Sequence, residues 1–409
     1  MLLIIIFFLL SFPRLGAFYD YVLTNLGINL DERIVSKLSI LVVTFIIILW
    51  TTFNYKHFLK DLKKWIKETD NKYFIAAVVI FLVTVLLSAS FGIAFKTSLI
   101  TLVYWVLIFA SYLFLSVIWK KALSLKLIAL SLYLTFMVSM IQMLSYHFNW
   151  NWEMISSLFN TRGMVDLSGF TLKEGSTWIL RPSGFMNDPN FLSIFLSISL
   201  VYLFKEFENI IEPIKEWGEF IKKVKSEMFY ILAFILGFIN LMLTASRTGI
   251  LIFVVGICTY LVFKVVFKLN RKFVFSGFFV QLFDRFKFND ISFFEHLKYA
   301  QVALQIFIEK PLLGIGAGNY PLYYKLYIDK RVDFGTPHTT YLKILAETGL
   351  LGIISFVIPI GMIVYRLLRS RYLVGISVIS VILSSAIAYD SLLTPWVWMF
   401  IAMIVSDIV

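Results

Sequence analysis

Four short segments of this chain combine residue types that can do chemistry. Arg181-Pro182-Ser183-Gly184-Phe185-Met186-Asn187-Asp188-Pro189-Asn190 closes a polar stretch and runs directly into an apolar one. Thr244-Ala245-Ser246-Arg247-Thr248-Gly249 sets one arginine between two apolar runs with almost no loop on either side. A glycine run follows at Pro311-Leu312-Leu313-Gly314-Ile315-Gly316-Ala317-Gly318-Asn319-Tyr320, and Pro337-His338-Thr339-Thr340-Tyr341 leads into a run that carries Glu347, Gly349 and Gly352. A guanidinium is a permanently charged planar fork that matches phosphate oxygens. An imidazole, with an unperturbed pKa near 6.5, is substantially neutral at about pH 7 and can take a proton from a hydroxyl. Arg181, Arg247 and His338 are therefore the candidate catalytic residues. Asn187, Asn190, Gly314, Gly316, Arg285 and Tyr341 are the candidate substrate-binding residues around them.

Plainer readings stand beside these. An isolated arginine next to a bilayer often snorkels to the interface, although an unpaired one costs roughly 2.5 to 3.5 kcal/mol on insertion scales and so calls for a partner or a task. The glycine run is equally well a helix-breaking turn; it follows no strand and lacks a Gly-Lys-Ser/Thr ending, so neither a dinucleotide fingerprint nor a phosphate loop is indicated. Arg285 and Lys298 also read as ordinary loop charges. Asp188, Glu295 and Glu347 are acids near the motifs that could orient the cations or His338. His57, His147, His296 and His338 show no ligand spacing, and no carboxylate cluster has metal spacing, so neither a metal nor another cofactor is expected.

The elements that must position these residues are membrane helices. Hydrophobic residues make up 60% of the chain and charged residues only 15%, far outside the range of a water-soluble domain. The net charge of +12 could suggest nucleic acid, but the cations sit in short loops between apolar runs, not on one basic face. The single Cys258, within an apolar run, cannot form an intrachain disulfide. Runs near 36–53, 73–90, 98–119, 126–146, 191–204, 228–244, 249–267, 350–368, 372–389 and 392–408, with a short first one at 1–12, each suit a crossing. The first run lacks the charged start and small-residue cleavage site of a signal peptide. The expected fold is thus all-α: a single integral-membrane domain over 1–409, a polytopic transmembrane helical bundle of about twelve spans.

Lysines 56, 60, 63, 64 and 67 cluster in one loop, and Lys120, Lys121 and Lys126 in the next but one, which places both loops in the cytoplasm by the positive-inside rule. Alternation then puts both termini inside. The outward face receives the loop at 147–190, the turn at Ser246 to Gly249 and a large helical loop at 284–340 before the last three spans, so all four motifs lie on one side. One crossing is short: Phe273 to Phe283 supplies about 11 residues, and a helix of that length covers only about 16 Å.

In this order and on one side of the membrane, Arg181 to Asn190, Ser246 to Gly249, Pro311 to Gly318 and His338 through Tyr341 to Glu347, Gly349 and Gly352 resemble the O-antigen ligase and O-antigen polymerase superfamily of bacterial envelope glycosyltransferases. The likeness covers about the second half of the chain; the first 150 residues match only in being spans. Thr339 stands where relatives often have Asn. The resemblance implies an integral-membrane C-type glycosyltransferase fold in the bacterial inner membrane, with an extracytoplasmic active site built from the loops at 147–190 and 284–340. It implies an undecaprenyl-pyrophosphate-linked glycan as donor, a lipid or glycan acceptor, and a single inverting displacement without a nucleotide sugar. Arg181 and Arg247 would then hold the pyrophosphate, which favours metal independence, and His338 would be the base. A ligase acting on lipid A core or a similar acceptor is the first expectation. A polymerase joining carrier-linked repeats is the second, and a transporter of lipid-linked oligosaccharide the third. The sugar, the acceptor lipid and the oligomeric state are not legible.

Overall fold

The computed structural model describes residues 3, 5–7, 32–119, 121–148, 150, 164–166, 178–186, 188–211, 217–269, 291–330 and 336–408. A chain in hydrocarbon has no water to satisfy its backbone, so apolar runs close their N–H and C=O groups within helices. They do so where hydropathy places them: α1 (Glu32–Phe53), α3 (Thr69–Ser90), α4 (Phe95–Ile118), α5 (Lys121–Phe148), α6 (Pro189–Ile211), α7 (Trp217–Leu243), α8 (Arg247–Leu269), α11 (Thr340–Arg369), α12 (Leu373–Ala388) and α13 (Pro395–Ser406). Three further helices are not spans. The lysine-rich α2 (Tyr55–Lys67) follows α1, while α9 (Ile291–Glu309) and the short α10 (Tyr320–Tyr323), which continues into a π turn at Tyr324–Ile328, lie in the expected outward loop.

Five helices, α3, α4, α5, α8 and α11, are long and apolar enough to cross a membrane, or six if the bent pair α1 and α2 counts as one span. Four shorter apolar helices belong to α6, α7, α12 and α13. A many-helix membrane bundle is therefore correct, but the count of about twelve is not reached among the described residues. The short crossing expected at 273–283 lies outside them, as does most of the one at 1–12. A small antiparallel hairpin, β1 (Met164–Asp166) with β2 (Trp178–Leu180), qualifies the all-α expectation. Three-residue strands are too short to leave a readable alternation.

At the centre stand α6 and α13, each buried along most of its length: Leu192, Phe195, Leu196, Ile198 and Leu200 on one, and Trp396 to Ile404 on the other, are almost wholly enclosed. A helix that is apolar all round belongs inside other helices rather than against lipid. Small side chains let neighbours approach, as where Ser197 on α6 donates to the Gly249 carbonyl of α8 at 2.8 Å. By contrast α3, α4 and α8 leave Val79, Ile80, Val83, Val103 and Leu261 exposed, as lipid-facing surfaces require.

The helix that begins just after His338 is broken. Within α11, Gly349 has φ +67°, so the first turns, 340–348, separate from the stretch that follows. The 311–316 segment fills the break: Leu350 N–H donates to Pro311 O at 2.8 Å, Leu351 N–H to Leu312 O at 3.3 Å, and Ile315 and Gly316 N–H to the carbonyls of Ala346 and Glu347. Backbone groups freed by a kink inside a membrane protein must find partners, and here every one named is supplied by the glycine run. Gly349 is required twice over, by its positive φ and because a Cβ would lie 2.4 Å from Leu312 backbone.

The Glu347 side chain completes this unit. It is buried, and its carboxylate accepts Gly318 N–H at 2.7 Å and Tyr320 N–H at 3.2 Å. Glu347→Ala leaves two N–H groups without their acceptor and is expected to cost about 2–4 kcal/mol, with Glu347→Gln, which keeps one acceptor oxygen, costing less. Thermal unfolding in detergent checks both; equal and negligible losses would show that the loop does not depend on this carboxylate.

Candidate active site

Local sequence rules explain how the first arginine is presented. Asp188 and Pro189 make a strong helix start: the Asp188 carboxylate accepts Asn190 N–H at 2.7 Å, and proline occupies the first helical position of α6, where its missing N–H is no loss. Upstream, the Gln142 side chain of α5 reads the loop backbone, its Oε1 accepting Ser183 N–H at 3.1 Å and Gly184 N–H at 3.0 Å while its Nε2 donates to Gly184 O at 3.2 Å. Arg181 is thus held between β2 and α6 by a buried amide.

Arg181 then reaches across to the second motif. Its Nε donates to Thr244 O at 2.7 Å and one Nη2 hydrogen goes to Asn190 Oδ1 at 2.8 Å. The same Asn190 oxygen accepts Ser246 Oγ at 3.2 Å. Two of the five guanidinium hydrogens are used in these contacts. Burial lowers the pKa of Arg181, while Asp188 and then Tyr389 act in the opposite direction. A guanidinium is so strong a base that it stays cationic through this shift.

The turn at 244–249 is a helix end followed at once by a helix start. Ala245, at φ +47°, terminates α7 in the left-handed region, and Ser246 caps α8 by accepting Gly249 N–H on its hydroxyl at 3.2 Å. Arg247 is the first residue of α8 and is exposed. Through Asn190 and Ser246, the N-termini of α6 and α8 meet. Helix N-termini carry partial positive charge and unsatisfied N–H groups, so two arginines and two N-termini stand at this junction, opposed by the Asp188 carboxylate and the carbonyl end of α7.

His338 sits at φ +53°, which is uncommon for a residue with a side chain and marks a backbone held by its surroundings. The surroundings are visible. Thr339 Oγ1 donates to Ala386 O at 3.3 Å, Thr340 Oγ1 to Tyr389 O at 3.0 Å, and Thr336 Oγ1 to Asp390 Oδ2 at 2.7 Å. Lys343 pairs with the same Asp390 oxygen at 3.3 Å. The Tyr299 ring of α9 meets the imidazole edge-on at 5.8 Å between centroids.

Tyr389 joins the two halves. Its carbonyl anchors the His338 segment, and its side chain lies within hydrogen-bonding reach of Thr248 and Ser246 and feels the charges of Asp188 and Arg181. Burial, the largest influence, raises its phenol pKa, with Thr248 acting against it. Tyr389→Phe is expected to keep the fold and lower activity by about tenfold through a looser junction, the size of one lost hydrogen bond. A loss as large as that from removing an arginine would instead make Tyr389 part of the chemistry.

The expected site residues thus fall into groups. Arg181, Asn190 and the Ser246-Arg247 turn are brought together, and His338 is linked to them through Tyr389. Tyr341 turns its hydroxyl to Leu383 O at 3.3 Å on α12. The close backbone approach expected at Gly314 and Gly316 is made to the protein itself: Gly314, at φ +64°, lies against Glu347 backbone, and Gly316 lies against Gly92 and Asn319. Asn187 and Arg285 lie outside the described residues. Lys298 is exposed on α9. Among the described residues, no three His, Cys, Asp or Glu side chains gather as a metal set. Sequence reasoning missed Gln142, Lys343, Tyr389 and Asp390. Tyr389-Asp390 interrupts two apolar runs on the expected outward side, which was the available signal.

The fold defines a polytopic helical membrane protein, and at this junction the starts of α6 and α8 meet with Arg181 and Arg247 on them. Residues 232–357 match the family model described as O-antigen ligase, which supports the O-antigen ligase superfamily as the family of this chain. The match includes Arg247, His338 and the glycine run and stops short of the Arg181 segment. Members of that family are glycosyltransferase-like membrane enzymes. No curated protein matches the chain.

Proposed function

We propose that the protein transfers a glycan from undecaprenyl pyrophosphate to a lipid acceptor such as lipid A core, at the outer face of the bacterial inner membrane. The observation that carries this reading is the Arg181–Asn190–Ser246 junction, which gathers two helix N-termini and two arginines at one end of the bundle. Such a junction suits a leaving group with concentrated negative charge. Arg181 and Arg247 hold the pyrophosphate oxygens, with Asn187, Asn190 and Arg285 as further contacts. His338 removes the proton from the acceptor hydroxyl as its oxygen attacks the anomeric carbon. The glycosidic C–O bond to the pyrophosphate breaks with its electron pair on the departing oxygen, and undecaprenyl pyrophosphate leaves. One such displacement inverts the anomeric configuration.

The two guanidiniums supply the positive charge that a divalent ion supplies in other enzymes, so transfer is expected to persist in a chelator. The match from residue 232 to 357 favours ligase chemistry over transport of the lipid-linked oligosaccharide. Purified protein, given a carrier-linked glycan with either lipid A core or a second carrier-linked repeat, tests it. Glycan on lipid A core is the expected product. Lengthened carrier-linked glycan would make the protein a polymerase, and no transfer by folded protein would overturn the enzymatic reading in favour of a transporter.

A further inference from the structure

At the end of the bundle away from His338, α2 departs from the span pattern. The chain turns by 103° between Leu41–Phe53 and Tyr55–Lys67. A helix perpendicular to a span lies along the membrane plane. Five lysines in thirteen residues also make α2 far too costly to cross hydrocarbon. Its apolar residues recur at Phe58, Leu62, Trp65 and Ile66, one helical face, and that face is used: Phe58 packs on Trp50 at 6.3 Å and on Phe114 at 5.6 Å, and Trp65 is buried. Lys56, Lys60, Lys63, Lys64 and Lys67 are all exposed, against one acid, Asp61.

Two observations place this basic face at a lipid surface. The end of α1 leaves Phe45, Ile48, Leu49 and Phe53 exposed, the last at 84%, and Tyr55 follows at 60%. Exposed apolar residues at the end of a span mark where the acyl region gives way to headgroups, and α2 begins there. The helix is also clamped at its other end: Arg366 of α11 donates to Asn71 Oδ1 at 2.6 Å and to Glu68 Oε2 at 3.1 Å, and Asn71 Nδ2 donates to Trp65 O at 2.8 Å. The lysine row therefore cannot turn away by rotation of a loose loop.

We infer that α2 is an in-plane docking surface for the headgroups of anionic phospholipids in the leaflet opposite the candidate active site. Charge complementarity chooses the occupant, since a juxtamembrane lysine near an anionic surface gains about fivefold in affinity. The full chain in nanodiscs that mix phosphatidylglycerol with phosphatidylcholine, read by native mass spectrometry for retained lipid, tests it. Wild type is expected to retain phosphatidylglycerol selectively, and Lys60→Gln, Lys63→Gln and Lys64→Gln together should cut that selectivity by ten-fold or more. Lys126→Gln, Lys205→Gln and Lys268→Gln together, the same charge removed from α5, α6 and α8, should leave most of it. Equal losses in the two triple variants, or no selectivity in wild type, would overturn the inference. A lysine-dependent retention of nucleic acid or an acidic protein in place of lipid would also overturn it.

Discussion

Replacing Arg181 by alanine is expected to lower the rate of glycan transfer on the order of 10³-fold, the upper range for loss of one preorganised donor to a developing anion. The residue does two things in one place. Its Nε and Nη2 hydrogens tie Thr244 to Asn190, holding the ends of α7 and α6 together, and its remaining hydrogens are those assigned to the pyrophosphate. Arg181→Lys separates the two roles, because an ammonium keeps the charge but cannot make both ties and present a fork as well. It should recover part of the loss in binding while staying about 10²-fold below wild type. If Arg181→Lys were fully active, the residue would be a simple counter-charge and the fork argument would fail. If Arg181→Ala lost its fold in detergent, Asn190→Ala, which removes the acceptor shared by Arg181 and Ser246 together with one donor contact but keeps the guanidinium, should show a smaller loss in the same assay.

His338→Ala should lower turnover by about 10²–10⁴-fold, the range for removing a general base, with donor affinity nearly unchanged. The strained backbone at φ +53° sharpens the expectation, since Thr336, Thr339 and Thr340 hold this loop through their own bonds and the alanine variant should keep its place. A variant with wild-type turnover would assign the proton transfer to another group.

Much of the fold was legible because membrane helices obey one strong rule. Runs of apolar residues at 73–90, 98–119 and 249–267 became α3, α4 and α8 within a few residues. The run at 350–368 was read as a span beginning after the motifs, whereas the helix starts at Thr340 and breaks at Gly349, so the hydropathy boundary marks the kink rather than the helix end. The β1–β2 hairpin and the in-plane turn of α2 left no hydropathy signal; the first is too short, and the second reads as a basic loop.

The segments of the candidate site were legible in part. Arg181, Arg247 and His338 stand out in the sequence by charge, proton chemistry and position, and the structure ties their segments together through Asn190, Ser246 and Tyr389. Tyr389 was missed because its role is geometric: a lone tyrosine after an apolar run has no motif until α12 and α8 are packed side by side. Glu347 reads in the sequence as an acid that could orient the cations or His338, but its carboxylate accepts two N–H groups of the glycine run, a pairing 29 residues apart for Gly318 that spacing alone does not reveal. The glycines themselves looked like a ligand cradle because positive φ and close approach leave the same residue type whichever surface is approached.

The central claim is that arginines bind the donor and His338 moves the proton. Donor binding and single-turnover transfer, measured on the same preparations with a chelator present, test it most directly. Arg181→Ala and Arg247→Ala should lose affinity for undecaprenyl-pyrophosphate-linked glycan, and His338→Ala should bind it as wild type does yet form almost no product. Arginine variants that bind normally, or a histidine variant that transfers normally, would contradict the account.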